Sequence, residues 1–166
     1  MKRIVFFLLV CLLITGCSAA PQPTEATTEP AGGLQIGNPW KDYSSLEEAE
    51  TACGLRFPLG DTVAGSYVAE SFRVLNGELL EVTYRNGISE VTVRMQSGEG
   101  RDIAGVYMEF EEVSTFETET YTLTNKHIAG GGILQLAFSG GYSYSFYAPN
   151  GYAGDSNADF LAFLNP

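Results

Sequence analysis

The side chains with the strongest intrinsic chemistry in this chain are few. His127, the sole histidine, and Cys53 are the residue types of a thiol–imidazole nucleophile pair. Cys53 closes the run Glu47-Glu48-Ala49-Glu50-Thr51-Ala52-Cys53, in which Leu46, Ala49 and Cys53 recur on one face of a short amphipathic helix. The expectation is therefore a buried, quiet core thiol and no dyad. One histidine and one such thiol do not make a zinc site of three or four nitrogen and sulfur ligands. Glu109, Glu111 and Glu117 are the acids that could pair across strands for hydrolysis or hold calcium, yet a solvated strand face gives the same pattern. Gly130-Gly131-Gly132 has no following Lys-Ser/Thr, so a hairpin break explains it better than a phosphate loop. No catalytic residue, metal ligand or cofactor is assigned.

Aromatic residues are a different matter. Tyr142, Tyr144, Phe146, Tyr147 and Tyr152 crowd a short stretch near the C-terminus. Alternation puts Tyr142, Tyr144 and Phe146 on one strand face, expected in the core, and Tyr147 on the other. Trp40, Tyr147 and Tyr152 are the candidates for contact with a glycan, a peptide or an envelope protein, because such rings combine contact area with a hydrogen-bonding tip.

A third chemistry sits at the start. Lys2 and Arg3 precede an uncharged apolar run from Ile4 to Ile14, and Thr15-Gly16-Cys17 follows. This is the layout of a secretory signal, too short for the roughly 20 residues of a membrane span. It resembles the bacterial lipobox, which implies diacylglyceryl transfer to Cys17 and cleavage before it. Residues 1–16 are then a lipoprotein signal peptide. Residues 17–33 are the lipidated cysteine and a Pro/Thr/Ala-rich tether, with no periodicity to form a core. Residues 34–166 form a single extracytoplasmic domain. The expected place is the extracytoplasmic face of the cell membrane, reached through the lipid. With Cys11 discarded and Cys17 lipidated, Cys53 has no disulfide partner. Twenty acidic against nine basic side chains leave a net charge of −11, which argues against nucleic acid as a partner.

Positioning falls to a domain whose periodicity changes along the chain. Ser44 or Ser45 can cap the helix through Cys53, with Glu47 or Glu48 at the capping-box distance, and Gly54 stops it. From Tyr67 the period is two: Val68, Phe72 and Val74, then Leu80, Val82 and Tyr84, then Val91, Val93 and Met95 each share a face. Asn76-Gly77 and Asn86-Gly87 separate these runs and predict two hairpins in series. Asp102 to Phe110 is ambiguous between helix and strand. Val113 to Glu117 and Thr120 to Thr124 read as strands, Leu134, Leu136 and Phe138 as one face of the next, and Tyr142 to Tyr147 as the last. A final helix opens at Ser156 with Asp159 at the capping-box position. The expected fold is α+β, a curled antiparallel sheet of about seven strands flanked by an N-terminal and a C-terminal helix.

Four short motifs, Asn38-Pro39-Trp40, Ser45-Leu46-Glu47-Glu48-Ala49, Gly54 with Phe57-Pro58-Leu59, and Gly141-Tyr142-Ser143-Tyr144-Ser145, together resemble an uncharacterised domain family of Gram-positive bacterial lipoproteins. Similar domains form the extracytoplasmic part of some anti-sigma factors. Gly60 stands where the family often has a proline. The resemblance carries no catalytic residues and implies a non-enzymatic binding or sensor domain held outside the membrane. The alternatives are a cell-envelope hydrolase using strand carboxylates and an accessory subunit that docks on a membrane protein.

Overall fold

The computed structural model describes residues 38–64 and 66–164, which fall within one compact unit. Cys17, the signal and the tether lie outside the described residues. The elements are β1 (Trp40–Tyr43), α1 (Leu46–Cys53), β2 (Thr62–Val63), β3 (Tyr67–Leu75), β4 (Leu79–Asn86), β5 (Ser89–Ser97), β6 (Glu112–Glu117), β7 (Tyr121–Ile128), β8 (Gly132–Ser139), β9 (Tyr142–Ala148) and α2 (Ser156–Leu164). All strands join one antiparallel sheet in the order β1-β3-β4-β5-β9-β8-β7-β6, with β2 on β3. The α+β class and the curled, unclosed sheet agree with the sequence expectation. Among the described residues the strand count is nine, and the first element is a strand rather than a helix. β1 and β2 escape notice because four and two residues are too short to display a period; they exist because β3 offers its edge to Trp40–Tyr43 and to Thr62–Val63.

Helix α1 starts as its sequence requires. Ser45 is the N-cap and its hydroxyl accepts from the Glu48 amide at 3.3 Å. The Glu48 carboxylate reaches back one residue beyond the cap, accepting from the Ser44 amide at 3.1 Å and its hydroxyl at 2.7 Å. Gly54 ends the helix with φ 69°, a conformation that costs glycine little. At α2 the cap is Asp155 rather than Ser156: its Oδ1 accepts from the amides of Asn157 and Ala158, both at 3.1 Å. A carboxylate there meets both free N–H groups and the positive end of the helix. Asp159 is left to accept the Tyr152 hydroxyl instead, at 2.7 Å.

The first hairpin turns on Asn76 and Gly77, both at positive φ. In the second, Asn86 pairs with Ser89, so Gly87 and Ile88 are the central residues and Gly87 alone has positive φ, at 59°. The turn sits one residue later than Asn-Gly chemistry predicts, because Asn86 closes the ladder and its side-chain Nδ2 donates to Ser66 Oγ at 3.2 Å. Gly87→Val is expected to cost about 1–3 kcal/mol from backbone strain, whereas Asn86→Asp stays within about 0.5 kcal/mol. Thermal unfolding of both variants checks this, and equal midpoints would displace the turn.

The sheet has two packed faces. Its inner face carries Val74, Leu80, Val82, Tyr84, Val91, Val93, Met95, Tyr144 and Phe146, all buried. Ala49 of α1 and Phe160 and Phe163 of α2 close over them. Rings run through this layer: Phe57 to Phe163 at 5.3 Å, Phe163 to Tyr144 at 4.9 Å, and Phe146 to Tyr152 at 5.0 Å. Gln135, buried beneath α2, ties it to the sheet by donating Nε2 to Asn157 at 2.7 Å and to Asn125 at 2.8 Å. Val68 departs from its expected face and is 55% exposed. A bulge between Ala69 and Ser71 shifts the parity of β3, so Tyr67 points inward before it and Phe72 after it.

On the outer face, Leu134 and Leu136 meet Ala104, Val106, Phe110, Ile128 and Tyr147 in a second, smaller core. Leu134 and Leu136 thus belong to the face away from both helices, and the segment 102–110, neither helix nor strand, is the strap that covers them. Arg94 holds the strap by donating Nη1 to the carbonyls of Ile103, at 3.0 Å, and Ala104.

Candidate functional site

The three aromatic candidates do not form one patch. Trp40 and Tyr147 lie on the outer face and Tyr152 on the inner one. Tyr152 packs between Tyr67, at 5.1 Å, and Phe146, and its hydroxyl is engaged by Asp159. Burial, reinforced by that carboxylate, pushes its phenol well above the usual tyrosine range. Tyr147 leans on the second core. Trp40 is stacked by two guanidinium groups, Arg73 at 4.8 Å and Arg94 at 5.5 Å from its ring. Each ring therefore has an internal packing partner.

Cys53 is half-buried rather than fully buried. Its Sγ donates to the Ala49 carbonyl at 3.1 Å and faces a polar cleft of about 310 Å3 lined by Glu78, Gln96 and Arg101 among others. Burial pushes its pKa up, so little thiolate forms. Helix α1 packs at the β1–β3–β4 end, and His127 lies on β7, four strands from β4. At about 4.8 Å per strand, the thiol and the imidazole are not brought together.

Glu111 and Glu117 are not brought together either. Glu111 precedes β6 and Glu117 ends it, so they are separated by more than five strand steps, each about 3.3 Å. That exceeds the roughly 5–9.5 Å between the carboxyls of a glycosidase pair. Glu109, Glu111 and Glu117 are all exposed. Among the described residues no three His, Cys, Asp or Glu side chains are grouped for a metal ion.

Two features stand out that sequence reading missed. The first is Glu81, 1% exposed on the outer face. One of its oxygens accepts from Arg94 Nε at 2.7 Å, and the other from Arg73 Nε at 2.8 Å and Nη2. With Trp40 above, this forms a closed network of one acid, two cations and a ring. Glu81 alternates with Leu80 and Val82 and so lies on the face away from the helices, where Arg73 and Arg94 cover it. The second is β6. Residues 111–120 are all exposed, although six of them are paired in a strand. Val113 stands 57% exposed on one face and Phe116 59% on the other. Among the described residues, one side of β6 has no strand beside it.

No family model matches the chain, and no curated protein or solved structure matches it either. The functional reading rests on the residues and their arrangement.

Proposed function

We propose that this protein is a non-enzymatic binding or sensor domain, anchored by a lipid on Cys17 at the extracytoplasmic face of the cell membrane. The observation that carries the binding reading is β6, an edge strand whose backbone and apolar side chains are left open to solvent. Exposed apolar surface of this kind is costly to maintain unless a partner uses it. The lipobox-like run ending at Cys17 supports the anchor, and the resemblance to the Gram-positive lipoprotein domain supports a sensing or accessory role beside a membrane protein. The hydrolase alternative fares less well, since its candidate acids are all exposed on solvated surface.

Metabolic labelling with a palmitate analogue tests the anchor. The wild-type chain is expected to take label and sediment with membranes, and Cys17→Ser to lose both. Label persisting on Cys17→Ser would overturn the assignment. Binding is tested by photo-crosslinking from position 116 of the lipidated protein in membranes. A discrete adduct that survives the pair Glu109→Gln and Glu111→Gln is expected; loss of function with those changes would transfer the role to the acids.

A further inference from the structure

β6 reads Glu112-Val113-Ser114-Thr115-Phe116-Glu117 and is the last strand of the sheet among the described residues. Its inward side is paired to β7, with Glu112 opposite His127 and Glu117 opposite Thr122. The Thr118 amide donates to the Tyr121 carbonyl at 2.9 Å, and the Glu111 amide to the His127 carbonyl at 2.9 Å. These two bonds fix the phase of the ladder. Residues 112, 114 and 116 spend their backbone groups on β7, and Val113, Thr115 and Glu117 turn theirs outward.

Charge states what belongs there. Glu109, Glu111, Glu112, Glu117 and Glu119 surround the strand, and no lysine or arginine occurs between Arg101 and Lys126. A second copy of the chain is a poor occupant. In a two-fold antiparallel pairing like face meets like face, so Val113 meets an odd-numbered residue and Phe116 an even-numbered one. Val113 never opposes Phe116, so at most one of the two can be matched, against its own copy, while two strongly acidic surfaces are brought together.

From these features we infer that β6 is the docking edge for an extended, cationic segment of another protein, which adds to the sheet as a further strand. The inference rests on the binding reading above and specifies its partner. Cross-strand complementarity asks for a cation opposite Glu112, an apolar residue opposite Val113, another opposite Phe116, and a cation opposite Glu117. The resulting pattern, cation-apolar-any-any-apolar-cation, reads the same in both chain directions, so parallel and antiparallel addition both satisfy the side chains.

The test uses detergent-solubilised full-length protein and the capped peptide Lys-Val-Thr-Thr-Val-Lys, followed by amide NMR shifts. Shifts confined to residues 111–118, with slowed exchange at Val113, Thr115 and Glu117, are the expected result. Binding should weaken at least tenfold when both lysines of the peptide are glutamate, and also when its alternate amides are N-methylated. Thr115→Pro should abolish it while leaving the inward ladder intact, since that N–H faces solvent; the N-methylated peptide asks the same question of unaltered protein. The pair Glu112→Lys and Glu117→Lys should reverse the preference toward the glutamate peptide. Equal affinity for both peptides, shifts elsewhere on the sheet, or concentration-dependent broadening of the same amides without peptide would overturn the proposal, the last in favour of a second copy. Peptide failure with the position-116 adduct retained would sink this recognition alone; loss of the adduct too would sink the binding reading.

Discussion

Glu81→Ala should lower the stability of the domain by about 3 kcal/mol, toward the lower end of the range for breaking a buried ion pair. The acid is almost wholly buried and accepts from both Arg73 and Arg94. Without it two guanidinium groups remain under Trp40, close together and with no acid between them. Arg73 is 38% exposed and can turn partly to water, which holds the loss to the lower end; Arg94, at 19%, has less freedom. Arg94 also grips the carbonyls of Ile103 and Ala104, so the strap over Leu134 and Leu136 should loosen. Urea unfolding gives the first readout and amide exchange in segment 102–110 the second. A midpoint within experimental error of wild type would mean that the network adds nothing over its desolvation cost.

Phe163→Ala is expected to cost about 3–5 kcal/mol, the usual range for deleting a buried ring. Phe163 is fully buried and meets three other rings: Phe57 between α1 and β2, Tyr144 on β9, and Phe160 on its own helix at 5.8 Å. The cavity opens where α2, the sheet and the Phe57 segment converge, and backbone held from three sides collapses poorly. Phe163→Leu should recover more than half of the loss by filling most of the space. Equal stability of the Ala variant would show that α2 contributes little to the fold.

The strands with strict alternation were legible because one buried face imposes period two; Leu80, Val82 and Tyr84 with Val91, Val93 and Met95 are the clear case. Legibility failed wherever burial came from something other than the helices. Val68 changed sides through a bulge that no residue type announces. Leu134 and Leu136 share a face as their spacing predicts, but which face depends on a strap without regular structure. Glu81, between Leu80 and Val82, is buried on that same outer face, which no apolar period marks. At the candidate site the residue types of β6 were visible and its edge position was not, since strand order is a property of the whole sheet. Tyr152 shows the converse: its aromatic character pointed outward to a ligand, whereas Asp159 and Phe146 had already claimed it.

The pairing of β5 with β9, Thr92 opposite Tyr147 through Ser97 opposite Tyr142, has a kinetic consequence. On one side of it β3, β4 and β5 follow one another through tight turns, and on the other β6 through β9 do the same. Each ribbon closes small loops and can form early; the β5–β9 seam must wait for the long intervening chain to be brought round. It is also where the inner-face rings of β9 meet Val93 and Met95. Weakening the seam should therefore slow folding more than weakening any hairpin, and leave two ribbons that form separately before they find each other.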